Sequence, residues 1–298
     1  IGDANDFSKW NINKYENLVR NVDKNKFYYF TGSAQMTTGN DLWQAVKKAS
    51  AGDTIEAGPG TYTKSPVAQV NDLTIKALFP VNTNPSARWS VVKPSSAPGW
   101  PDVGAVNIRA NGVSFDGFEV DALNCKVGIN AYGASNVVIS NNSVHNADHT
   151  WDAIGIMAWD WTSASTVDNV IIENNEVYDT GRMGIFCMDY DTTNSEYDLT
   201  TAHVISGNTV YNTWTNPMGD AGGAIQINVG GSCEISDNEI YNTQNGNRGI
   251  YMFGSGSGNT IAGNDIHDNP IGMEFFIDGQ GMSPIDWEGD TATSPDVT

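Results

Sequence analysis

The chain has 298 residues, with 35 acidic against 15 basic side chains and a formal net charge of −20. That balance excludes a phosphate-backbone partner, which requires Lys and Arg to displace counterions. No apolar run approaches the roughly 18 residues of a membrane span, so neither nucleic acid nor membrane is an expected partner. Three cysteines are an odd count, and Cys187 lies among aliphatics like a small core residue, so neither a disulfide framework nor a zinc site is expected.

The chain opens at Ile1 with no Met and no signal-like apolar stretch. This fits either a processed secreted protein or a trimmed piece of a longer chain, and the expected location is extracellular or at a cell surface. Residues 1–37 read as an N-terminal extension whose aromatic cluster, Phe27-Tyr28-Tyr29-Phe30, packs on the exterior of the main domain. Within the segment 41–62, Leu42, Val46 and Ala49 share one face of an amphipathic helix, followed by Gly-Asp, a strand and Pro-Gly-Thr-Tyr. A solenoid needs such a cap over its first open coil.

From Val137 onward one phrase recurs five times: an aliphatic residue, two spacers, Asn, a spacer, Val or Ile, Tyr or His, then Asn or Asp. Its central Asn falls at 142, 175, 208, 238 and 264, with spacings of 33, 33, 30 and 26. Each copy precedes a small residue and an aliphatic: Ala153-Ile154, Gly184-Ile185, Ala224-Ile225, Gly249-Ile250 and Gly272-Met273, with Gly128-Ile129 in the coil before. Fixed-period similarity at this length means stacked units that cannot bury their apolar face alone. Period-2 alternation over short runs makes those units strands. The expected fold is therefore all-β, a right-handed parallel β-helix over 38–278 with an N-terminal capping helix, identical positions stacking about 4.8 Å apart. The five Asn and the column His145, Tyr178, Tyr211, Tyr241, His267 read as structural ladders. Residues 279–298, rich in Thr, Ser and Pro, read as a tail or linker.

Aligning the coils on the second phrase sorts side chains by face. An outward column holds Asn130, Gly155, Phe186, Gln226, Tyr251 and Glu274. Two residues on come Tyr132, Met157, Met188, Asn228, Phe253 and Phe276. Aromatics beside amides suit a trough for sugar rings. After Arg109 only three basic residues remain against 26 acidic ones: Lys126, Arg182 and Arg248. Each falls one or two residues before the second phrase, as one column of cations that would face a polymer bearing regular negative charge. Acids gather nearby, with Asp148, Asp152, Asp189, Asp191, Asp220 and Glu274 as candidate acid and base. Adjacent or alternate coils separate such carboxyls by about 5 or 10 Å, bracketing retaining and inverting glycosidases. The longest insertions carry Trp151, Trp159, Trp161 and Trp214 as stacking candidates, and His149 as a proton shuttle.

The cap (helix, Gly-Asp-Thr-Ile, Pro-Gly-Thr-Tyr) and the repeats together resemble the secreted β-helix polysaccharide-degrading enzymes, chondroitinase B-like and alginate lyases. Among these, the methanogen disaggregatases, which break down a chondroitin-like wall polymer, are similar in style. The resemblance implies an enzyme on an acidic polysaccharide and favours a lyase, which would use a cation or Ca²⁺ against the uronate carboxylate and a base such as Arg182, Arg248, His149 or Tyr251. The abundance of acids instead favours glycosidic hydrolysis by paired carboxylates, which requires no cofactor and is the leading expectation, with the lyase as its alternative. A non-catalytic carbohydrate-binding surface protein is the third reading.

Overall fold

A computed structural model describes residues 18–28, 41–81, 89–96, 99–147, 153–160, 167–191, 196–197, 202–215, 222–228, 232–253, 258–276, 286–288 and 291–292. Among these, the short strands stack into three parallel sheets. Successive strands of one coil go to successive sheets, giving the right-handed parallel β-helix that the repeat requires. The first sheet carries Ile139, Ile172, Ile205, Ile235 and Ile261 in one register column. The second carries Val144, Val177, Val210, Ile240 and Ile266 in another. All ten are buried in one apolar core.

At the bend between these two sheets the central Asn ladder forms as the repeat implies. Asn142, Asn175 and Asn208 each donate from Nδ2 to the Oδ1 of the next Asn at 3.0, 3.1 and 3.0 Å, and Asn238 reaches Asn264 at 2.8 Å. A second amide proton goes to carbonyls such as those of Ile139 and Ile172, so backbone groups orphaned at the bend are satisfied. The last letter of the phrase also has a conformational cause: Asn146, Asp179, Asn212, Asn242 and Asp268 all adopt left-handed φ of 51° to 61°, where Asn and Asp are tolerated better than other side chains. On the outer face, His145, Tyr178, Tyr211, Tyr241 and His267 stack ring on ring with centroids 4.9 to 5.1 Å apart. Each ring face is covered by its neighbour, so this ladder is no sugar platform.

The cap is the helix Asp41–Lys47, with Leu42, Ala45 and Val46 buried. Strands Val19–Asn21 and Lys26–Tyr28 pair antiparallel and join the first sheet at Thr54–Ala57. This part of the extension therefore continues a sheet edge instead of packing on the outer wall. At the far end, Asp286–Glu288 and Thr291–Ala292 add to the first and second sheets, so coil pairing runs past 278, the boundary drawn from composition.

Candidate functional site

The third sheet positions the site. Its strands include Gly104–Ile108, Val127–Tyr132, Ile154–Asp160, Ile185–Asp191, Gly223–Asn228, Arg248–Phe253 and Ile271–Phe276. Ile129, Ile156, Ile185, Ile225, Ile250 and Met273 form the inward column. The inward residue of the third of these strands is thus Ile156, not Ile154, and that coil shifts by two relative to the sequence alignment. The outward column becomes Asn107, Asn130, Met157, Phe186, Gln226, Tyr251 and Glu274. Beside it run Tyr132, Trp159, Met188, Asn228 and Phe253. Trp159 accordingly lies on the sheet and not in an insertion.

This face is less exposed than its composition suggests. Val103, Val127, Tyr132, Ile154, Met157, Trp159, Met183, Phe186, Met188 and Trp214 form a second buried apolar cluster. Asn130, expected to meet substrate, is fully buried and does another job: its Nδ2 donates to the Pro101 carbonyl at 3.1 Å and to Asn107 Oδ1 at 3.2 Å, and its Oδ1 accepts from Trp159 Nε1 at 2.9 Å. Trp214 is also buried, with a left-handed φ of 62° and the Arg182 guanidinium 5.5 Å from its ring. These two residues brace the face.

A concavity of about 240 Å³ opens in this cluster, lined among others by Trp100, Trp159, Arg182, Phe186, Gln226 and Asn228. Gln226 Nε2 donates to Asn228 Oδ1 at 2.7 Å. Gln226 Oε1 is buried and has no hydrogen-bond partner among the described residues. Next in register lie Tyr251 and Glu274. Arg248 bonds Glu274 through Nε and covers the Tyr251 ring at 5.2 Å. Burial raises the Tyr251 hydroxyl above its ordinary pKa, Glu274 adds to that, and Arg248 opposes it.

The cations do not form one column. The Lys126 carbonyl accepts from the Ile154 amide and the Arg182 amide donates to the Ala153 carbonyl, so Lys126, Ala153 and Arg182 are in line. Arg248 registers with Gly223, two residues before Ile225, whereas Arg182 is three residues before Ile185, which leaves Arg248 one position along. Lys126 precedes its strand, two coils from Arg182. Asp189 and Asp191 are in the strand Ile185–Asp191, Asp189 registering with Asp160. Their side chains, and the whole of Asp148, His149, Trp151, Asp152, Trp161 and Asp220, lie outside the described residues. Among the described residues no group of three or more His, Cys, Asp or Glu is arranged to hold a metal ion. Trp100 escaped sequence reasoning; its one signal is an isolated indole in the Pro- and Gly-rich stretch 94–101.

Residues 198–283 match the family described as right handed beta helix region. An alginate lyase from Paenibacillus sp. strain FPU-7 is similar over 81% of this chain and 96% of its own, at 15% identity and a TM-score of 0.51. The A-module of a mannuronan C-5 epimerase from Azotobacter vinelandii is similar over 90% of this chain and 96% of its own, at 13% identity and a TM-score of 0.42. A pectate lyase is similar over 86% of this chain and 72% of its own, at 15% identity and a TM-score of 0.40. No curated protein matches the sequence. The family match and the alginate lyase agree with the strand register: the chain folds as a right-handed parallel β-helix.

Proposed function

We propose that the chain is an extracellular or cell-surface enzyme that depolymerises an acidic, uronate-containing polysaccharide laid across the outer face of the third sheet. The observation that carries this reading is the concavity, where Arg182 and the Gln226–Asn228 amide pair meet the indoles Trp100 and Trp159. Such a mixture stacks sugar rings, bonds hydroxyls and holds a carboxylate. The alginate lyase of the same fold acts on an acidic polysaccharide, in keeping with it.

Of the two chemistries, the described side chains favour β-elimination. That reaction takes the proton beside the uronate carboxylate, forms a carbon–carbon double bond and expels the glycosidic oxygen, so it needs a cation on the carboxylate and a group that moves protons. Arg182 supplies the first. His149, the base candidate from the sequence, would take the proton from the carbon, and Tyr251, which burial keeps protonated though a weaker acid, would give a proton to the leaving oxygen, so that one proton is taken up and one released. Hydrolysis is the second reading. It draws on Glu274, which Arg248 already engages, together with Asp189, Asp191, Asp152 or Asp220. Ca²⁺ would belong to elimination alone.

Incubating the chain with chondroitin-type, alginate and pectate polymers separates these outcomes. Elimination raises both the ultraviolet absorbance of unsaturated uronate and the number of reducing ends, while hydrolysis raises reducing ends alone. Arg182→Gln is expected to lower kcat/KM by about 100-fold, the scale of one lost charge-stabilising contact. Neither signal on any polymer would defeat the enzymatic reading and leave carbohydrate binding.

A further inference from the structure

The cap holds two cations that this acidic chain leaves without acids. Elsewhere Lys24 pairs with Asp53, Lys76 with Glu56, Lys93 with Asp121, Arg109 with Asp102 and Arg248 with Glu274. Lys47 and Lys64 have no acidic partner among the described residues and gather around an indole instead. Lys47 stands four residues after Trp43 on the helix Asp41–Lys47, and therefore on the same face. Lys64 comes from the segment between the strands Gly60–Tyr62 and Val67–Ala68. Their ammoniums lie 4.7 and 4.6 Å from the centroid of the Trp43 ring, and both lysines are exposed. The ring attracts each ammonium, while the two like charges repel each other. An anion placed beside both relieves that repulsion and displaces no existing ion pair.

The position of these lysines in the fold indicates which anion. Val67–Ala68 is the first strand of the third sheet, and four strands further along that sheet comes Ile185–Asp191. Register carries Val67 through Asn107, Asn130 and Met157 to Phe186. Counting back three residues puts Lys64 in line with Met183, one position from Arg182. The two cations thus mark the same edge of one sheet, about 19 Å apart along the solenoid at about 4.8 Å per strand. Trp100 precedes the second strand of that sheet; it is 65% exposed and meets Tyr132 and Trp159 edge-on at 5.8 and 5.3 Å. A polymer leaving the concavity towards the cap passes this indole and arrives at Lys64.

We propose that Trp43, Lys47 and Lys64 form a second, non-catalytic subsite, which holds an anionic substituent of the same polysaccharide strand several sugars away from the concavity. This rests on the reading of the substrate as an acidic polysaccharide on the third sheet. It adds a direction, along the solenoid axis towards the cap, and a length: a tetrasaccharide centred on the concavity ends short of the lysines, whereas a decasaccharide reaches them.

Isothermal titration with tetra- and decasaccharides of the alginate, pectate and chondroitin types tests it. Wild type is expected to bind the decasaccharide of its preferred type at least about 10-fold more tightly than the tetrasaccharide, the second contact being intramolecular once the first is made. The double variant Lys47→Gln with Lys64→Gln should lose that gain and bind the tetrasaccharide as before, while Lys47→Arg with Lys64→Arg should keep it, since Arg retains the charge and stacks on the indole. Raising NaCl to about 0.15 M should shrink the gain, because exposed ammoniums are screened. A gain that survives in the Gln variant would come from the extra registers of a longer chain and would overturn the proposal. Equal losses at both lengths would overturn it too, by placing the lysines within reach of the tetrasaccharide. Cleavage is followed in parallel. A length gain that depends on the lysines, with no cleavage of any polymer, would sink the enzymatic reading and keep the subsite. Cleavage of the decasaccharide with the same KM in wild type and the Gln variant would do the reverse, and binding of neither length would overturn both.

Discussion

His203 shows what a single residue hides in the sequence. It stands at the start of the strand His203–Ser206, and only its register with Val170 reveals that it points into the core. Neither ring nitrogen has a hydrogen-bond partner among the described residues. Burial therefore lowers its pKa to about 4, the charge of Asp168 opposing the shift only in part. The unfolded chain holds this proton below about pH 6.5 while the folded chain does not until about pH 4. Stability contributed by the neutral ring is thus complete above pH 6.5 and falls as the pH drops towards 4, by about 1.4 kcal/mol per unit and on the order of 3 kcal/mol in all. Urea unfolding of wild type and His203→Leu between pH 4 and 7 measures it: their stability difference should shift in favour of the variant on acidification, and a pH-independent difference would refute it. The Asn ladder and the Tyr and His ladder, by contrast, were legible at once, because the same place in five successive copies of one phrase, 26 to 33 residues apart, leaves no other economical explanation. Asn130 was not, since an amide that binds sugar and an amide that props a loop are the same letter.

Among the elements, the strands of the third sheet explain why the alignment slipped by two in one coil. Ala153-Ile154 and Gly155-Ile156 both satisfy the small-then-aliphatic phrase, and what decides between them is a close approach that no local pattern reveals. A Cβ on Gly155 would lie 2.3 Å from Val177 Cγ1, and one on Gly184 would lie 2.3 Å from Val210 Cγ1 and 2.9 Å from the Ala224 carbonyl oxygen. The glycines sit where the third sheet bends against the second, so their spacing is set by packing across the solenoid. Gly184→Ala is accordingly expected to cost about 1–3 kcal/mol through overpacking. Val210→Ala opens a cavity at the same spot. The double variant should be more stable than the sum of the two costs predicts. Strict additivity in chemical denaturation would show that the two side chains do not compete for that space. The same two-residue offset brings Met157 into the first outward column and Trp159 onto the sheet, while the sheet itself was legible throughout.

At the level of the whole molecule, charge divides unevenly along the solenoid. Residues 1–109 carry twelve basic and nine acidic side chains, whereas residues 110–298 carry three basic against 26 acidic, a net −23. The concavity belongs almost entirely to the second part. An anionic oligosaccharide approaching it meets long-range repulsion, which acts over about 30 Å at 0.01 M salt but only about 8 Å at 0.15 M. The proposed contact with Arg182, whose guanidinium lies beside the Trp214 ring, would work at hydrogen-bond distance, where salt screens it far less. Raising NaCl from 0.01 to 0.15 M should therefore tighten binding of a uronate-containing tetrasaccharide several-fold, the opposite of what a cation-lined groove shows. A neutral tetrasaccharide should show no such dependence. Arg182→Gln should weaken the anionic ligand at every salt concentration and leave the upward slope in place, because the slope comes from the 26 acids and not from the contact. Affinity that falls as salt rises would mean that attraction from further cations outweighs this repulsion, and the division of labour between one local cation and an acidic scaffold would be wrong.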